Sequence, residues 1–313
     1  MTREENVRRI GASLYFLTQG LGIISWWIIL IYIPTSRVYF RTSRMSDEAL
    51  LDFIWPDLFF LGFGSVLCSW MIWKHHTAPI TKPLIWMMVG AAIYPTLYVC
   101  GATYMSDGEG WAASMAMLLC ASGSFFAAWT AQLENPLFRV APQRSDNQHI
   151  FRTFIQTSIF WFLSLVAVPW LLTKAEQTLG ISRFHTLFQP WLPWVLFAII
   201  GTINLYTGYT MSNWGKGTPL PLETARVLVV RGPYRYVRNP MAITGLSLGL
   251  MVGWWLGSWF TLAIVFAGGL VWHIFVRPIE ERDLEDRFGE EYLQYKKQVR
   301  NWIPTARPAP PAP

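Results

Sequence analysis

The sequence predicts an all-α, polytopic integral membrane helical bundle of about eight spanning or hairpin arms, with both termini on the inner face. Three observations carry this. Residues are 53% hydrophobic and only 14% charged, where soluble domains carry about 25% charged residues. Long runs hold no Asp, Glu, Lys or Arg at all. The basic residues collect between those runs, on alternate sides.

The charge-free runs are 10–36, 83–106, 110–133, 153–173, 184–215 and 239–276, and 53–73 carries only Asp57 near its start. A hydrocarbon core of about 30 Å needs roughly 20 apolar residues in a helix. The predicted arms are 10–33, 53–73, 83–104, 110–132, 153–173, 188–211, 240–255 and 258–276. With the N-terminus inside, the inner segments hold 20 of the 25 Lys and Arg residues. The outer loops hold only Arg37, Arg41, Arg44, Lys174 and Arg183. The positive-inside bias therefore gives N-in and C-in, and it explains a pI of 9.3 without a nucleic-acid partner. Trp26, Trp27, Trp70, Trp73, Trp111, Trp170, Trp191 and Trp194 fall in or near arm ends, where an amphipathic indole settles. Cys68, Cys100 and Cys120 lie inside apolar runs at no metal or disulfide spacing, so neither is expected.

The chain changes character near Gly215. The expected organisation is N-terminal transmembrane helices over 1–211, a cofactor-binding region with a helical hairpin over 212–305, and an unstructured Pro-rich tail over 306–313. The run 239–276 is 38 residues long. As one helix it would measure about 57 Å, nearly twice the hydrocarbon core. The sequence Gly253-Trp254-Trp255-Leu256-Gly257-Ser258 breaks it, so a tight hairpin is expected, with Pro240 in the first turn, where its missing N–H costs nothing. A charged helix, 279–304 with Pro278 before it, runs directly out of the second arm.

A hairpin brings its two ends to one membrane face. The polar cluster of Arg235 to Pro240 should therefore meet Glu280 and Glu281. His273, seven residues before Glu280, is two turns up the same face and the only ionisable side chain of that arm. An ionisable residue at membrane depth usually faces a cavity or a partner. Each residue also has a plainer reading. Arg231, Arg235 and Arg238 serve as positive-inside anchors, Glu280 and Glu281 as a solvated helix face, His273 as a packed core histidine, and Pro233 and Pro240 as loop punctuation. The joint pattern is what favours a site.

That pattern, Gly232-Pro233-Tyr234, Arg238-Asn239-Pro240-Met241-Ala242, Glu280-Glu281 and Phe288-Gly289-Glu290-Glu291-Tyr292, resembles the isoprenylcysteine carboxyl methyltransferase and phospholipid methyltransferase superfamily. The resemblance covers about 215–304, and within it GKGTPLPLETARVLVV, ahead of Gly232, is typical of bacterial members. The first six arms match nothing in it. Asn239 stands where the family usually has His, as in the phospholipid branch. Ala242 stands where it has Tyr, which removes a ring and a hydroxyl.

The resemblance implies a membrane methyltransferase of the bacterial inner membrane with its site facing the cytoplasm. The implied cofactor is S-adenosylmethionine, and the partners are membrane lipids and a lipophilic or small-molecule methyl acceptor (a carboxylate, thiol or amine). It places Val227, Leu228, Val229, Tyr234, Asn239, Pro240, Met241, Glu280 and Glu281 around the cofactor. Glu280 makes the direct polar contact and Glu281 assists. Arg277, His273 and Arg238 are the candidate catalytic residues, with Arg277 or His273 meeting an acceptor head group. Carboxylates suit a sulfonium and an ammonium, and arginine suits a carboxylate. Two alternatives stay open. One is a membrane reductase using a nicotinamide, since sterol and steroid reductases share an Arg-His-Pro-like element. The other is a non-catalytic lipid-binding scaffold, favoured by Ala242 and the unmatched N-terminal half.

Overall fold

The computed structural model describes residues 3–43, 45–131, 141, 145–218 and 224–310. Each expected arm is a helix. They are α1 (Arg3–Tyr32), α2 (Asp47–Lys74), α3 (Thr81–Met105), α4 (Trp111–Thr130), α5 (Asn147–Thr178), α6 (Leu192–Gly215), α7 (Pro240–Leu256) and α8 (Trp259–Gln298). Seven of these are long and apolar enough to cross a membrane, and α7 is a shorter apolar helix. Arg44, Arg139, Arg144 and the loop residues 219–223, which entered the charge-bias and motif readings, lie outside the described residues.

Contacts divide the chain into 1–136 and 137–313. The boundary expected at 212 is not where the contacts thin out. α5 and α6 group with the hairpin and its charged extension, because α6 packs along α7 and α5 packs along α6.

In the first unit, α1 packs against α2 and α4, and α3 against α4. Close approach replaces a hydrophobic drive that lipid does not supply. A Cβ at Gly20 would lie 2.6 Å from the Gly62 carbonyl oxygen. Polar side chains tie the helices inside. Gln19 accepts from Tyr15 (2.6 Å) and Ser124 (2.8 Å) and donates to Ser65 (3.0 Å). Asp57 accepts from the Trp27 indole at 3.2 Å.

In the second unit, the hairpin tip forms where the run breaks. Gly257 ends α7 with φ +65°, a left-handed conformation that glycine adopts without Cβ strain. Ser258 then caps α8, accepting from Thr261 N at 3.1 Å, and the Glu176 carboxylate accepts from Phe260 N at 2.6 Å. At the other end Asn239 caps α7, accepting from Ala242 N at 3.1 Å, and Pro240 occupies the first turn.

α8 has 40 residues, in two helical stretches joined across Gly289. Only its apolar half, to Val276, suits a bilayer. A π-helical stretch, Trp272–Val276, precedes Pro278 and widens the turn there, where the proline ring would crowd an α-helical carbonyl. Gly289 (φ +52°) breaks helical geometry inside the charged half, where a Cβ would be strained.

The tail departs from the expectation of an unstructured segment. Arg235 Nε donates to Ala309 O at 2.6 Å, and Ala309 N donates to Arg235 O at 3.0 Å. Ala309 is buried with Leu228, Val230, Tyr292, Tyr295 and Val299. Apolar contact and paired backbone groups thus hold the described tail residues in place.

Candidate active site

The hairpin ends meet. Asn239 Nδ2 donates to Glu280 Oε2 at 3.2 Å, across 41 residues of sequence. Asn239 can do this because its Oδ1 is spent on the helix cap, which turns the amide NH2 outward from α7. Next to it Arg238 NH2 meets Glu281 Oε1 at 3.0 Å.

The two carboxylates then differ. Glu281 is held by three cations: Arg238 at 3.0 Å, Lys296 at 2.9 Å and Arg277 at 3.7 Å. Glu280 has only the Asn239 amide, and no ion pair forms with it among the described residues. Glu280 lies on the charged side of α8, one turn past the apolar stretch that ends at Val276. Burial, with the Glu281 and Asp283 charges adding to it, pushes its carboxyl up to about 7. Glu280 lines a cavity.

That cavity measures about 620 Å³, within the range of about 300–1,000 Å³ usual for small-molecule sites. Its polar end is bounded by Tyr234, Arg238, Asn239, Arg277, Glu280 and Tyr292. Its apolar end runs between α5, α7 and the apolar half of α8, past Trp161, Leu165, Leu246, Val265 and Trp272. The ring of Tyr234 is buried, and its backbone carbonyl accepts from Tyr295 OH at 2.7 Å, which holds the Gly-Pro-Tyr turn against the charged helix.

Of the residues expected around the cofactor, Val227, Leu228, Val229, Tyr234, Asn239, Met241, Glu280 and Glu281 border this cavity. Pro240 does not. As the first-turn residue of α7 it faces a separate groove with Tyr206, Tyr236 and Pro304. Arg238 and Arg277 also border the cavity, both turned toward Glu281. His273 is not among the lining residues. Its Nδ1 accepts from the Trp302 indole at 2.9 Å, and its ring lies 5.8 Å from that of Trp302. The π-helical turn between His273 and Glu280 is the reason: one extra residue rotates the register by roughly a quarter turn or more, so seven residues no longer return to the same face. Arg231 lies away from the site, its guanidinium 3.9 Å over the Trp214 ring.

Sequence reading missed the uncharged polar residues. Gln156 on α5, Asn204 on α6 and Asn301 past α8 all border the cavity. Gln156 Oε1, Asn204 Oδ1 and Asn301 Nδ2 are buried without a hydrogen-bond partner in the described structure. A search for charges at membrane depth passes over amides, although an amide inside an apolar run is the same kind of signal. α5 and α6 thus line the cavity themselves and do not merely flank it.

The class defined by these features is a polytopic helical membrane protein with a polar-mouthed, apolar-ended small-molecule cavity. Residues 188–291 match the model of the phospholipid methyltransferase family, so the motif resemblance holds over a third of the chain. Methanethiol S-methyltransferase 1 of Bradyrhizobium diazoefficiens is 29% identical over 185 residues, 57% of this chain and 59% of that protein. Methanethiol S-methyltransferase of Crocosphaera subtropica is 26% identical over 196 residues, 58% of this chain and 66% of that protein. The chain therefore spans less than two thirds of either curated relative. No solved structure matches it.

Proposed function

We propose that the protein is an S-adenosylmethionine-dependent membrane methyltransferase acting on a small or lipophilic acceptor. The observation that carries this is the contrast between Glu281, saturated by three cations, and Glu280, which faces the cavity with no cation of its own. A buried carboxylate in that condition suits a cationic ligand.

The residues present fit the cofactor. Glu280 would hold its ammonium or sulfonium charge, with Asn239 orienting the carboxylate. Tyr234, Met241 and the Val227–Val229 segment would enclose its body. Asn301 Nδ2 offers an unspent donor, and Arg277 is a partly exposed cation for a carboxylate. When bound, the group supplies an activated methyl. The chain's own part is to exclude water, fix the cofactor against Glu280 and present the acceptor about 3–3.5 Å from the methyl, opposite the leaving sulfur. The excess of Lys and Arg on the inner loops favours a cytoplasmic, inner-membrane-facing mouth, so the cofactor arrives from water and the acceptor from between helices.

Calorimetry on the full chain in detergent tests this. S-adenosylmethionine should bind and a reduced nicotinamide should not. Heat from the nicotinamide alone would transfer the reading to a reductase, and heat from neither would leave a lipid-binding scaffold.

A further inference from the structure

The groove on the outward side of Pro240 shares no lining residue with the candidate cavity. It measures about 670 Å³. Its walls come from α6, from the Gly-Pro-Tyr turn and from the start of α7.

The two ends of this groove differ in chemistry. Ile203 and Ile243 make the apolar end. Ile199, one helical turn from Ile203 and exposed like it, carries the apolar stripe further along α6. The polar end holds Arg235 with Tyr206 and Tyr236, both exposed. A tyrosine with one apolar and one wet end settles at the level of lipid head groups. Among the described residues no Asp or Glu lines the groove.

Arg235 is the group that gives the groove a sign. Its Nε is spent on Ala309 O at 2.6 Å. Its two terminal nitrogens make no hydrogen bond or ion pair among the described residues, and neither is buried. They stay open to an anion that enters from the groove.

We propose that this groove binds an anionic phospholipid of the surrounding membrane, with its phosphate on the Arg235 guanidinium and an acyl chain along Ile203 and Ile199. The excess of Lys and Arg on the inner loops puts this end of α6 and α7 in the cytoplasmic leaflet. The bound lipid braces residues 232–240 from outside, while Tyr234, Arg238 and Asn239 of the same segment face the cavity. Lipid binding here needs no cofactor, so it stands or falls apart from the methyltransferase reading.

The test is native mass spectrometry of the full chain released from detergent micelles, which counts retained lipids. Phosphatidylglycerol should be held about fivefold more tightly than phosphatidylcholine of the same chains, the contribution of one interfacial arginine. Inorganic phosphate should not displace it. Arg235→Gln should erase the preference. Arg235→Lys keeps the charge and should keep most of it, which separates lipid binding from the bond to Ala309. Arg300→Gln, exposed and outside the groove, should bind as wild type does. Ile203→Trp places a larger ring on an exposed position, so it should fold, and it should block the lipid. Backbone hydrogen exchange over 232–240 should slow when phosphatidylglycerol is bound. Equal retention of the two lipids overturns the proposal, as does a folded Ile203→Trp that binds like wild type. Displacement by inorganic phosphate would make this a free-anion site, and equal losses in Arg235→Gln and Arg300→Gln would make the effect one of diffuse surface charge. A dimer that excludes lipid would give the groove to a second copy of the chain, and unchanged exchange over 232–240 would remove the bracing. Each of these results sinks the idea.

Discussion

Asn239 and Glu280, 41 residues apart, are joined by a 3.2 Å hydrogen bond from amide to carboxylate. The same asparagine caps α7 through its oxygen. One side chain therefore starts the first arm of the hairpin and aims the carboxylate at the end of the second.

Removing the charge and keeping the shape isolates Glu280. Glu280→Gln should bind S-adenosylmethionine roughly ten- to a hundredfold more weakly, since a charge-assisted hydrogen bond contributes about 1.5–3 kcal/mol. Thermal unfolding should change little at acid pH, where the wild-type carboxyl is protonated. Glu290 and Glu291 are exposed and do not line the candidate cavity, so Glu290→Gln and Glu291→Gln should bind as wild type does. Calorimetry on all four proteins reads this directly.

The raised carboxyl of Glu280 makes binding depend on pH. A cation needs the carboxylate, and in the empty site that forms only as pH rises through about 7. Affinity should be about tenfold weaker at pH 6 than at pH 8, with a proton released on binding at pH 6. Stability of the empty protein runs the other way. Because the folded pKa lies above the unfolded value of 4.5, the contribution of this group is full below that value and is lost as pH rises through about 7. Glu280→Gln should flatten both profiles, and titration calorimetry in buffers of different ionisation heat measures the proton.

Glu281 should show the opposite division. Its partners Arg238, Lys296 and Arg277 are 12%, 34% and 28% exposed, so water screens the cluster only in part. Glu281→Gln should lower stability by about 1–3 kcal/mol, below the range for fully buried pairs. Cofactor affinity should fall less than in Glu280→Gln. Denaturation and calorimetry on the two variants together separate a structural carboxylate from a ligand-facing one.

Asn239→Ala removes the cap and the hold on Glu280 at once. It should cost about 1 kcal/mol of stability, the usual loss for an N-cap. It should also weaken cofactor binding several-fold by freeing the carboxylate. Asn239→Asp keeps a capping oxygen and should recover most of the stability, but it sets a second negative charge beside Glu280. The midpoint of the pH–affinity profile should then move above that of wild type, which rules out loss of the cap as the whole cause.

The amino-acid sequence by itself determined the arms, their number, the break at Gly253 to Ser258 and the meeting of Asn239 with Glu280. All of these follow from local periodicity, from lengths matched to a bilayer and from glycine and proline at the ends. Tertiary structure decided the rest. His273 left the site because a π-helical turn, invisible in composition, rotated it away from Glu280. Pro240 turned to another groove because the first turn of α7 has one inward and one outward side. The unequal roles of Glu280 and Glu281 depend on Arg238, which arrives from before α7, and on Lys296, which lies past the break at Gly289, and adjacent identical residues carry no mark of it. Asn204 and Gln156 were plain in the sequence, but only tertiary packing left their carbonyls without partners. A side chain's unmet hydrogen bond is a property of its surroundings, and distant parts of the chain supply those.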